Sequence, residues 1–86
     1  MAEKSADKGN KAFDRGEYET AVAAFSETRE VWRQLGDTRG EASALVDLGV
    51  AHQKMGNLAD AQEAYEEGLR LYEQLGDDEG RATVMG

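Results

Sequence analysis

Apolar residues recur along this chain at spacings of three and four, and glycine cuts the runs they form at regular intervals. Ala42, Leu45, Leu48, Gly49, His52 and Met55 fall on one face of a helix. The "MGN" at 55–57 ends that run, and Ala61, Ala64, Tyr65, Gly68, Leu69, Tyr72 and Leu75 begin another. Upstream the scheme repeats. A helix reaches about Asp14, "RGE" turns the chain, and Ala21, Ala24, Phe25, Thr28, Val31, Trp32 and Leu35 form the next apolar face. No sustained alternation with period two occurs, so strands are not expected. The pattern predicts an all-α protein made of helical hairpins.

The two hairpins are copies of one unit. When residues 9–46 are laid over 49–86, identical pairs appear at Gly9/Gly49, Gly16/Gly56, Ala21/Ala61, Ala24/Ala64, Glu27/Glu67, Gln34/Gln74, Leu35/Leu75, Gly36/Gly76, Asp37/Asp77, Gly40/Gly80 and Ala42/Ala82. Tyr18/Leu58, Phe25/Tyr65, Val31/Leu71 and Trp32/Tyr72 match in kind. Glycines, small residues and large apolar residues keep their register while surface positions drift. Packing constrains the buried face alone, so this is the signature of a structural repeat. One domain over 1–86 is expected, with repeat 1 at about 2–36, repeat 2 at about 37–76, and a truncated third first-type helix at 77–86.

Gly16, Gly36, Gly56 and Gly76 sit where helices should end in a left-handed residue. For the helix that follows Gly36, two caps compete: Asp37 itself, or a capping box of Thr38 with Glu41. Glycine inside a helix costs about 1 kcal/mol relative to alanine, so Gly9 and Gly49 need a packing reason. Close approach to Ala21 and Ala61 of the partner helix is the expected one. Trp32 and Tyr72 occupy equivalent places and are expected in packing between repeats, with a partner anchor as the alternative.

The segments "GNKAFDRGEYETAVAAFSE" and "LGVAHQKMGNLADAQEAYEEGL" resemble tetratricopeptide repeats. Leu45, Leu48, Gly49, His52, Gly56, Leu58, Ala61 and Tyr65 follow the family pattern, as do Gly9, Ala12, Gly16, Tyr18, Ala21 and Phe25. The period of 40 in place of the family's usual 34 is similar to its long-repeat subclass. The resemblance implies a right-handed stack of two antiparallel helical hairpins, an α-solenoid, plus a short C-terminal helix. It also implies a non-catalytic role in protein–protein interaction, with a peptide held in the groove lined by first helices. Groove positions carried over from the family are Asp7, Asn10, Phe13 and Asp14, then Val46, Asp47, Val50 and Lys54. Clamping of an acidic peptide terminus, a known family function, fits poorly. Asn10 is kept, but Ala6 stands where that clamp has lysine and Asp47 where it has a second asparagine. Asp47 could accept a hydrogen bond from a peptide N–H but could not donate one.

The ends of the repeat differ. Ser5 and Lys8 stand where the second unit has Leu45 and Leu48, giving a polar N-terminal face. At the other end the apolar face continues through Leu71, Tyr72, Leu75, Val84 and Met85. Exposed faces of this kind mark interfaces, so self-association through those residues is expected. Either the chain is a piece of a longer array, or it is a self-sufficient or designed unit that closes the face by homodimerising or swapping helices.

Charge sharpens the partner class. The formal net charge of −8 is uneven: residues 1–40 carry seven Lys/Arg and eight Asp/Glu, residues 41–86 three and ten. That balance argues against nucleic acid and against an anionic membrane surface. It suits a basic or amphipathic protein segment, with the acidic surface aiding encounter. With no cysteine, disulfides, thiolate metal sites and cysteine nucleophiles are excluded. The opening "MAEKSADKGNKAF" has no apolar run, so no secretory signal and a cytoplasmic location are expected. His52 is the single histidine, on an apolar face where the family often has tyrosine, and is expected to pack rather than catalyse. "GDDEG" at 76–80 lacks the alternate-position ligands of a calcium loop. No metal, cofactor or enzymatic activity is expected.

Overall fold

The computed structural model describes the backbone of residues 2–76 and the side chains of residues 7–76. Four helices follow one another: α1 (Ala2–Asp14), α2 (Tyr18–Leu35), α3 (Thr38–Lys54) and α4 (Leu58–Leu75). Each packs on its neighbour in sequence, α1 on α2, α2 on α3 and α3 on α4. The links are too short to allow anything but antiparallel hairpins. Within the second hairpin, Gly49 lies against Tyr65 while Gly68 lies against Ala42 and Val46, so one helix runs forward as the other runs back. The expected third first-type helix at 77–86 lies outside the described residues.

The turns are closed by one hydrogen-bond motif used three times. The N–H of Gly16 donates to the Phe13 carbonyl (3.0 Å) and that of Glu17 to Ala12 (2.8 Å). Gly36 and Asp37 repeat this on Arg33 and Trp32, and Gly56 and Asn57 on Gln53 and His52. The motif satisfies carbonyls at the end of a helix and requires a left-handed residue, supplied here by glycines at φ 76°, 74° and 82°. The competition over the α3 cap is decided for Asp37. Its Oδ1 accepts the Gly40 N–H at 2.9 Å, with Asp37 extended (φ −89°, ψ 91°) and Thr38 already helical. The reciprocal half of a capping box does not form, because the Glu41 carboxylate turns to Arg29 Nε at 3.6 Å.

Among the described residues Ala12, Ala21, Phe25, Leu45, Leu48, Ala51 and Ala64 form a core cluster, with Phe13, Val22 and Leu71 packed against it. Two expectations need correction. The first contacts of Gly9 and Gly49 are aromatic rings, not Ala21 and Ala61. A Cβ at Gly9 would stand 2.5 Å from Phe25 Cε1, and one at Gly49 2.5 Å from Tyr65 Cε1. Each ring lies against bare backbone, the closest approach a planar group can make. Leu35 is 68% exposed and Leu75 40%, although both continue an apolar stripe. Each is the last residue of its helix, at a turn.

α3 departs most from a one-face reading. Ala42, Leu45, Leu48 and Gly49 are buried as expected, but so are Ala44 and Ala51 on the other side of the helix. A helix between two others is buried on two sides, and its stripe widens accordingly. Trp32 sits at the repeat junction, where a Cβ on Gly40 would come within 2.5 Å of its ring. Thr28 is buried because its hydroxyl donates to the Ala24 carbonyl at 2.9 Å.

Candidate functional site

The groove positions on α3 arise from helical spacing. Val46, Val50 and Lys54 recur every fourth residue with Asp47 beside them; Val46 borders the Ala42–Leu45–Gly49 stripe and touches Gly68 of α4, and the row turns away from that stripe toward Lys54. Val46, Asp47 and Val50 are half-buried and Lys54 is exposed. On α1 the corresponding residues behave differently. Asp7, Asn10 and Asp14 are exposed, and Asp7 pairs with Lys11 across one turn at 3.4 Å. Phe13 is half-buried, packs on the core and meets Tyr18 edge-on, with ring centroids 5.3 Å apart and planes at 66°. Its ring is therefore part of the hairpin's own packing. Ala12 of α1 shares one core cluster with Ala21 and Phe25 of α2 and with Leu45, Leu48 and Ala51 of α3.

Asp47 is the chemically distinctive member. Burial pushes its carboxyl above the usual carboxylate range. A carboxylate half-removed from water gains from a cation placed beside it.

The residues expected at a self-association face divide. Leu71 packs on the core, Tyr72 is only 8% exposed, and Leu75 alone of the three offers its side chain to solvent. Val84 and Met85 lie outside the described residues.

Three features escaped the sequence reading. Arg29 of α2 reaches Glu67 of α4 at 3.0 Å as well as Glu41 of α3, tying three helices together. Only the equivalence of Arg29 with Leu69, an unmatched pair in the repeat, hinted that this arginine had a special role. His52 is half-buried with the expected packing, yet its Nδ1 has no hydrogen-bond partner; it lines a small hollow with Asp60, Glu63 and Glu67. Among the described residues no group of three or more His, Asp or Glu side chains is placed to hold a metal ion. Third, an open apolar cleft of about 360 Å³ runs along α4, lined by Gln53, Leu58, Ala61, Gln62, Tyr65, Glu66 and Leu69. Within it the Tyr65 hydroxyl donates to Gln53 Oε1 at 3.0 Å. The signal for this cleft was present in the pairs Tyr18/Leu58 and Phe25/Tyr65, which place the same apolar face on both second helices.

No helix among the described residues is long and apolar enough to cross a membrane. No curated protein and no solved structure matches the chain. The sequence does match the tetratricopeptide-repeat family, over residues 5–74. With paired antiparallel helices, glycine-closed turns and aromatic rings on the first-helix glycines, the chain belongs to the tetratricopeptide-repeat family.

Proposed function

We propose that the chain binds a basic or amphipathic segment of another protein along the surface lined by α1 and α3, without catalysis. The family is one of protein–protein interaction modules. The observation that carries the finer reading is Asp47: a half-buried carboxylate between Val46 and Val50, raised by burial. Apolar contacts on both sides and an underused negative charge at the centre favour a lysine or arginine flanked by apolar side chains. Asn10 and Asp14 extend the polar wall on α1.

Selection from a displayed library of random peptides tests this. Enrichment of Lys- and Arg-bearing sequences is expected, with capture lost on Asp47→Lys and weakened on Asn10→Ala. Enrichment of acidic peptides, or capture indifferent to both changes, would refute it. Self-association through Leu71, Tyr72 and Leu75 has less support, because two of those three side chains are turned inward.

A further inference from the structure

Arg29 joins two helices that share little packing. Close packing in this protein runs between neighbours in sequence: α1 with α2, α2 with α3, α3 with α4. Each of those pairs is fixed by a ring seated on glycine, Phe25 on Gly9, Trp32 on Gly40 and Tyr65 on Gly49. Among the described residues no such contact joins α2 to α4. These are the second helices of the two hairpins, and their relation sets the angle at which one hairpin stacks on the other. The apolar cluster shared by the hairpins supplies cohesion without direction. A hydrogen bond has direction.

Arg29 Nη2 donates to Glu67 Oε2 at 3.0 Å, from α2 to α4. Its Nε lies 3.6 Å from Glu41 Oε2 of α3 and is buried without a hydrogen bond. The α4 leg is therefore the hydrogen-bonded one, and attraction to Glu41 braces the guanidinium from α3. Lys11 with Asp7 and Arg33 with Glu30 are different: each pair lies within one helix, on exposed side chains, and contributes little. Arg29 is 28% exposed and Glu41 16%, so this network is partly withdrawn from solvent screening. One guanidinium stands between two carboxylates; without it, like charges on α3 and α4 would repel. The repeat keeps the acid, as Glu27 and Glu67, but has Leu69 where the first unit has Arg29. The acid belongs to the repeat and the arginine does not.

We propose that Arg29 is a strut between the hairpins: reaching from α2 to Glu67 of α4, and braced by Glu41, it fixes the angle at which the second hairpin stacks on the first. Desolvation of the three charges offsets much of their attraction, so the strut contributes one defined arrangement more than it contributes stability. Because α1 lies in one hairpin and α3 in the other, the same angle sets the separation of the two rows of groove positions. The strut acts whatever fills the groove.

The chain has no cysteine, so labels can be placed at will. Lys8→Cys on α1 and Glu73→Cys on α4, both at exposed positions, carry nitroxides on opposite hairpins, and double electron–electron resonance reads the distance between them. The parent should give one narrow distribution. Glu67→Ala should broaden or shift it, and Arg29→Leu should do so further, because two carboxylates are then left facing. A second pair, Lys54→Cys with Glu73→Cys, lies within the second hairpin and should not change. Exchanging the charges, Arg29→Glu with Glu67→Arg, should restore the narrow distribution. Circular dichroism verifies that each variant keeps its helices. Glu67 is 41% exposed, so its alanine variant keeps the test decisive where Arg29→Leu fails to fold. An unchanged distribution in Glu67→Ala overturns the proposal. So does equal broadening within the second hairpin, which would make Arg29 a general stabiliser. A charge exchange that restores nothing overturns it as well, because the packing of the arginine stem would then be the cause.

Discussion

Replacing Gly49 with alanine sets two opposing terms against each other. Gly49 is inside α3, where alanine gains about 1 kcal/mol of helix propensity. The new methyl would stand 2.5 Å from Tyr65 Cε1, 2.7 Å from Cδ1 and 2.9 Å from Cζ. Carbon atoms at optimal contact are about 3.5–4.0 Å apart, so the ring must withdraw by roughly 1 Å. Overpacking of this kind costs about 1–3 kcal/mol. The balance is destabilising by about 0–2 kcal/mol, up to roughly 10 °C or more in melting temperature for a domain of this size. A double-mutant cycle isolates the cause. In a Tyr65→Ala background the obstructing ring is gone, and Gly49→Ala should raise stability by about 1 kcal/mol. The assay is urea unfolding followed by circular dichroism for the wild type, both single variants and the double variant. If Gly49→Ala stabilises the parent as much as it stabilises the Tyr65→Ala background, the ring is not what requires glycine at this position. The account of the hairpin would then fail.

The cap on α3 gives a second expectation: Asp37→Ala should cost about 1 kcal/mol by chemical denaturation, and Thr38→Ala much less, because the hydrogen bond to Gly40 comes from Asp37. Phe25→Ala should cost about 3–5 kcal/mol and Tyr65→Ala less, since the first ring is 3% exposed and the second half-open; equal losses would contradict the open cleft on α4. Burial holds the Asp47 carboxyl above the usual carboxylate range, so the folded state binds a proton more readily than the unfolded state. Its ionised form therefore penalises the fold above the folded pKa, and the penalty disappears as pH falls through that value to the ordinary carboxylate range. Asp47→Asn should accordingly melt higher than the parent at neutral pH, with the gap closing on acidification. A gap that widens at low pH would contradict the sign.

Much of the fold was legible because a helical repeat is written locally. The spacing of Ala61, Ala64, Gly68 and Tyr72 specifies one buried stripe, and α4 buries those four. Glycines at 16, 36 and 56 mark turns that only a left-handed residue closes, and the backbone closes them there. That Val46, Val50 and Lys54 share a side of α3, with Asp47 beside them, was legible by spacing alone. That Phe13 is engaged with Tyr18 was not, because a ring's partner depends on the crossing of two helices.

By itself the sequence determined the four described helices, the glycine turns between them and the acidic balance, because each depends on short-range spacing or on composition. Tertiary structure decided matters that depend on which helix lies beside which. It placed Phe25 and Tyr65 against the glycines and buried α3 on two sides. It gave Glu41 to Arg29 instead of to a capping box, and turned Leu71 and Tyr72 inward. It also left Tyr65 half-buried where the equivalent Phe25 is buried. Burial is a property of neighbours, and spacing along one helix does not say what lies against it.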